Sequence, residues 1–389
     1  MPTRPEISYF LYHSENPVSC RSKIWTSPLP LHPSRSNLKP DAKADTLTSY
    51  GDYFQIARKF LRKDRFELLA FAISQQILRK INPEEIRRIS ICLEKHGAFY
   101  HPARIEVIVN DFGLTFVLNL AISQAGRNCI EKEYHALEKL NHIFQKPLLP
   151  KVYGRAEIRL KSNQKAGMFL GEWFDGYHEF HISRDPADDT HKIRVWDPEN
   201  QDFYLSPEQS MEVYRQASRI LSCCYNVETT EQIFSWHHAS GDFIVKVEDH
   251  SIDVKLITVR SYDAALEDMD KDTKVILNAL LVFFLNLTIR MRLDRIDGVG
   301  EIVWSDDLTV SGSIKGFFEG LAQKPPTDLL PGPIDTCFKY YLESYSYSEL
   351  LDISQAIANA YHLRAPERPL VKRCLEAHLE TVCRNLKDL

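Results

Sequence analysis

Ser235-Trp-His-His-Ala-Ser-Gly-Asp-Phe-Ile-Val245, a short polar break, then Val254-Lys-Leu-Ile-Thr-Val-Arg260, is the stretch whose reading decides the fold. It predicts two short apolar strands: Phe243 to Val245, a turn over Glu248 to Ser251, and Val254 to Val259. His237, His238 and Asp242 collect at the mouth of this hairpin. Carboxylates are hard oxygen ligands, so Asp242 suits a divalent metal ion. Imidazole titrates near neutrality, so His237 suits a general base. Neighbours on an extended segment point to opposite faces, so His237 and His238 do not easily share one ion.

Composition narrows the classes. The chain has 389 residues, 44% hydrophobic and 26% charged, which suits a soluble globular protein of two or three units with a large core. A net charge of −5 leaves no basic surplus, so neither nucleic acid nor membrane is expected as a partner. The eight cysteines are scattered without a Cys-x-x-Cys pair. That argues against a zinc knuckle and suits reduced thiols in a cytoplasmic protein. Residues 1–30 lack the apolar core of a signal peptide. The longest apolar run, Val275 to Ile289, is broken by Asn278 and Asn286 and predicts a buried core helix.

Outward from the hairpin, residues 1–50 read as a Pro/Ser-rich leader, with Tyr9, Phe10 and Trp25 able to anchor it. Residues 51–100 read as a helical extension. Its apolar residues recur at helical steps from Tyr53 to Ile81, and Asn82-Pro-Glu-Glu85 starts a further short helix. Strands follow at Ala103–Val109 and Leu114–Ile122, a helix at Glu131–Phe144, and strands at Leu148–Tyr153 and Met168–Phe174. Asp185–Asn200 is polar and reads as an insertion. Glu208–Tyr225 is helical, and beyond the hairpin the chain is mostly helical. The fold class is therefore α+β, a small antiparallel sheet followed by a larger helical part.

Four segments in this order resemble the kinase-like fold, in its aminoglycoside and choline phosphotransferase branch. Phe116-Val-Leu-Asn-Leu-Ala121 resembles the third strand and Glu133-Tyr-His-Ala-Leu-Glu-Lys-Leu140 the helix that follows it. Leu149–Gly154 and Met168–Gly176 resemble the next two strands and the hinge, with Glu172 at a hinge-like position. Val213–Tyr225 followed by Ser235–Val245 resembles the catalytic-loop region. The resemblance implies a two-lobed protein, with residues 101–177 as N-lobe and 178–389 as C-lobe. It also implies ATP and Mg as cofactors, contacted by Asn119, Glu133 and Glu172, with Asp242 as metal ligand.

The chemical positions depart from the family pattern. Asn119 stands where the family has a phosphate-holding lysine, and Thr258 where it has a second metal-binding aspartate. His237 falls at the catalytic aspartate and Asp242 at the metal-binding asparagine. Gly97-Ala-Phe-Tyr-His-Pro102, near the place of the glycine-rich loop, is bulky where small residues are expected. Phosphoryl transfer depends on neutralised charge, and each lost electrostatic element costs about 2.7–4 kcal/mol of barrier. The expectation is thus a degenerate, pseudokinase-like protein. It would hold a nucleotide, a small anionic ligand or a partner protein in an inter-lobe cleft without efficient transfer. An active small-molecule phosphotransferase, with Asp242 on the metal and His237 as base, is the alternative. A structural or interaction protein is the second.

Other groups have plainer readings. His178 and His181 read as solvated loop residues. Arg290, Arg292 and Arg295 are expected to pair with Asp294, Asp297 or Glu301. Tyr340, Tyr341, Tyr345 and Tyr347 read as helix surface, Cys223 and Cys224 as buried thiols.

Overall fold

The computed structural model describes residues 5–12, 14–30, 48–97, 99–144, 148–159, 165–198, 200–234, 236, 239–249, 251–266 and 272–387. The chain divides into two units, Met1–Asp175 and Gly176–Leu389.

Alternation builds the sheet of the first unit. Ala103, Ile105, Val107 and Val109 are buried, while Arg104, Glu106 and Ile108 between them are half-buried. This period of two puts one row of side chains on the core face. The sheet has six strands in the order β1-β2-β3-β4-β6-β5. They are β1 (Glu6–Leu11), β2 (Ile86–Leu93), β3 (His101–Val109), β4 (Phe112–Ala121), β5 (Val152–Arg159) and β6 (Lys165–Glu172). Asn110, in the left-handed region at φ 52°, turns β3 into β4.

Two helices cover the core face with Tyr53, Phe54, Phe60, Leu69 and Ile73. After the four-residue α1 (Lys23–Thr26), these are α2 (Tyr50–Leu61) and α3 (Glu67–Ile77). The continuous helical pattern expected here is broken at Asp64, Arg65 and Phe66, all at positive φ. The opposite face carries α4 (Gln124–Ile143), whose Tyr134 ring lies 6.1 Å from that of Phe169 on β6.

Two expectations are corrected in this unit. Residues 5–11 do not form an irregular leader. β1 pairs in parallel with β2, Ile7 opposite Ile89, so the sheet is mixed and not purely antiparallel. Nor does Asn82–Glu85 start an α-helix. It makes one 3-10 turn, closed by a capping box, and leads into β2. The β-branched isoleucines of Ile86-Arg-Arg-Ile-Ser-Ile91 prefer a pleated surface to the helix side.

The second unit is mostly helical. It holds α5 (Pro207–Cys224), the single turn α6 (Ala239–Asp242), α7 (Thr273–Met291), α8 (Asp307–Ala322), α9 (Ile334–Glu343), α10 (Tyr347–Ala360) and α11 (Arg368–Leu386). α7 is apolar and long enough to cross a membrane by length and composition, but 67% of that window is buried inside this unit. Small sheets frame the helices. β7 (Phe180–Arg184), β8 (His191–Val195) and β9 (Phe203–Tyr204) form one, so the polar segment at 185–200 is part of a hairpin. β11 (Phe243–Glu248) pairs with β12 (Ser251–Leu256), Val245 opposite Val254. β10 (Glu231–Ile233) pairs with β13 (Tyr262–Ala264), and β14 (Leu293–Arg295) with β15 (Ile302–Trp304).

Candidate functional site

The one-turn helix α6 runs directly into β11 and so fixes Asp242 at the mouth of the hairpin. Asp242 is 1% exposed. A carboxylate so enclosed needs a compensating charge, and Arg260 supplies it. Arg260 Nη1 donates to Asp242 Oδ2 at 2.8 Å, and Nη2 lies 2.8 Å from Oδ1. The first contact is a hydrogen bond and the second an ion-pair contact, so the guanidinium neutralises the carboxylate without a full two-bond fork. The Asp242 carbonyl accepts from Ile257 N at 2.9 Å, which ties the turn to the end of β12. Thr258 follows as a half-buried residue outside the strand.

A second buried carboxylate braces the same turn. Asp294 on β14 is 3% exposed. Its Oδ1 lies 3.0 Å from His181 Nδ1 and accepts from Arg295 N at 2.7 Å, while Oδ2 accepts from Ile182 N at 2.6 Å. Ser240, two residues before Asp242, also donates to Asp294 Oδ1. Several donors on one carboxylate hold β7, α6 and β14 together. Burial, and then Asp294 and Asp306, push the Tyr214 phenol upward. His181 is thus a buried link on β7, not the solvated loop residue expected. The Trp196 ring covers it at 4.9 Å.

The arginines at and after the end of α7 also pair otherwise than expected. Arg292 takes Asp307, with Nη2–Oδ1 at 2.7 Å. Arg295 Nη1 donates to the Gly300 carbonyl. Arg290 lies between the rings of Phe234 and Tyr361, at 5.2 and 5.0 Å, and donates to the Trp236 carbonyl at 2.8 Å. It anchors the segment entering the candidate loop. His237 and His238 lie outside the described residues.

The first unit holds the other three positions. Asn119 on β4 is 8% exposed and out of step with the core series Phe116, Leu118 and Leu120. Its side chain therefore belongs to the face on which α4 packs. Glu133 on α4 is fully buried. Glu172 ends β6 and accepts from Lys151 N at 3.0 Å through Oε2.

The kinase-like resemblance implies magnesium, and the residues present do not fit it. Both oxygens of Asp242 face Arg260, and Thr258 brings a neutral hydroxyl. Among the described residues, no group of three or more His, Cys, Asp or Glu side chains is arranged to hold a metal ion. Arg260 escaped the sequence reading because it lies 18 positions from Asp242 in the chain. The question that would have found it is which cation neutralises a buried Asp242.

No family model matches the chain, and no curated protein matches it by sequence. Among solved structures it is similar to WaaP in complex with acyl carrier protein. The identity is 9% and the TM-score 0.35, over 78% of this chain and 97% of that one. A likeness that loose assigns no activity.

Proposed function

We propose that this chain is a degenerate kinase-like protein that binds a nucleotide or another small phosphate-bearing ligand without efficient phosphoryl transfer. The observation that carries the reading is the buried ion pair between Asp242 and Arg260. The carboxylate at the family's metal position already holds an organic cation. A divalent ion would have to displace that guanidinium, and breaking a buried ion pair costs about 3–5 kcal/mol. With Asn119 in place of a lysine and Thr258 in place of an aspartate, two further charged groups of the transfer chemistry are replaced by neutral ones.

The test is thermal unfolding of the full chain with ATP, ADP and GTP, each with and without Mg²⁺ or Mn²⁺. A ligand bound only by the folded state stabilises it by about 2.7 kcal/mol at a hundredfold excess over Kd. The expected result is a nucleotide-dependent rise in Tm that needs no metal, with no turnover of ATP. Mg²⁺-dependent turnover that disappears in Asp242→Ala would overturn the reading in favour of an active phosphotransferase. Absence of any shift would point to a protein that works through a partner surface.

A further inference from the structure

The corner between α2 and α3 carries Arg58, Lys59, Arg62, Lys63 and Arg65 against one carboxylate, Asp64. Arg58, Lys59, Lys63 and Arg65 are exposed and Arg62 is half-buried. Elsewhere in this unit arginines have taken partners, Arg79 with Glu85 and Arg104 with Glu94. At the corner, no hydrogen bond or ion pair joins the five cationic side chains to another described residue. The backbone turns there through Asp64, Arg65 and Phe66, all at positive φ and none of them glycine. Phe66, 8% exposed, packs into the core and pins the turn, which leaves its charged neighbours outside.

α3 continues this surface. Its core side is Leu69, Ala70, Ala72 and Ile73. Glu67, Phe71 and Gln75 recur every four residues on the opposite side, and Leu78 ends the row. Phe71 is 50% exposed and Leu78 91%. Leu78 caps the helix at φ 52°, a conformation that glycine or asparagine adopts at least cost. A leucine held there, almost wholly in water, makes little contact with the fold. Arg79 and Lys80 follow it, both exposed. One helix face thus shows two large apolar side chains with cations at both ends.

We propose that this α2–α3 face docks on an anionic lipid surface. Phe71 and Leu78 enter the headgroup boundary, and the cations of the corner meet the lipid phosphates. A bilayer interface supplies both halves of the match, negative charge outside and an apolar layer just beneath. An acidic polymer would satisfy the cations and leave Leu78 in water. The net charge of −5 is an average over the whole chain. Attraction at a surface acts within a Debye length, roughly 8 Å at physiological salt, and so responds to the local cations. The inference concerns the first unit and does not rest on nucleotide binding.

The test is flotation of the full chain with phosphatidylcholine vesicles, with and without phosphatidylglycerol, at low and high salt. Binding is expected on the anionic vesicles only, and salt should weaken it. Each cation near such a surface contributes about fivefold to partition, so the double variant Lys59→Ala/Lys63→Ala should lose roughly 25-fold. Phe71→Ser should lose roughly fivefold. Lys315→Ala, at an exposed position on α8 of the second unit, should bind as the wild type does. No binding of the wild type to anionic vesicles would overturn the proposal, and that measurement decides even where a variant does not fold. Wild-type partition of the double variant or of Phe71→Ser would also overturn it. Retention by polyglutamate or duplex DNA, with none on the vesicles, would overturn it in favour of an acidic macromolecule.

Discussion

At the scale of single residues, buried charge is what the second unit must manage. Arg292, 4% exposed, reaches Asp307 and the Ser305 carbonyl, and its Nε donates to His378 Nδ1 at 3.4 Å. His378 Nε2 then faces the Thr288 hydroxyl at 3.2 Å. Burial first, and Arg292 second, hold the His378 pKa down to about 3. An unfolded histidine titrates near 6.5. The stability that neutral His378 permits is therefore complete above 6.5 and is lost as pH falls toward about 3. At pH 4.5 the loss from this group is on the order of 3 kcal/mol. Denaturant unfolding at pH 7 and 4.5 checks this, and His378→Gln should remove about that much of the difference between the two pH values. The sequence showed His378 only as one histidine among fourteen. Its partners come from α7 and its C-cap, from β15 and from α8, and no spacing within α11 reveals them.

At the scale of elements, the closest packing is between α5 and α8. Gly312, Gly316 and Gly320 recur every four residues and make one stripe on α8. A Cβ on Gly316 would stand 1.9 Å from the Arg215 carbonyl oxygen, and one on Gly312 2.4 Å from that of Met211. Ser218 Oγ crosses the same seam to the Ser313 carbonyl at 2.6 Å. Gly316→Ala must push the helix backbones apart and is expected to cost roughly 3 kcal/mol. Gly332→Ala, whose Cβ would be 3.7 Å from Cys337 Sγ, should be near neutral. A lower denaturation midpoint at unchanged slope, in the first variant alone, is the expected readout. Strands β3 and β12 and helix α5 were legible from their periods of two and 3.6, and β11 and α7 from continuous apolar runs. β2 was not, since Asn82-Pro-Glu-Glu85 carries a genuine helix-start signal that lasts a single turn.

At the scale of the whole molecule, each unit has its own core. In the first, the N-terminal residues complete that core. Tyr9 on β1, Trp25 and Phe54 form a ring cluster, with Tyr9 5.2 Å from Trp25 and Trp25 5.9 Å from Phe54. Trp25→Ala is expected to cost roughly 3 kcal/mol, the low end for a tryptophan because this one is half-buried. Hydrogen exchange should then show the β1 amides losing protection while those of the second unit keep theirs.

The sequence by itself determined the α+β class, the order of most strands and helices and the hairpin at Asp242. Those readings rest on local period and residue type, which survive without knowledge of neighbours. Only the tertiary structure decided that Arg260 holds Asp242, that Asp294 binds His181 and Ser240, and that β1 joins the sheet in parallel. Each is a contact between distant segments. It is fixed by the requirement that buried charges and strand edges find partners, and no local pattern encodes which partner that is.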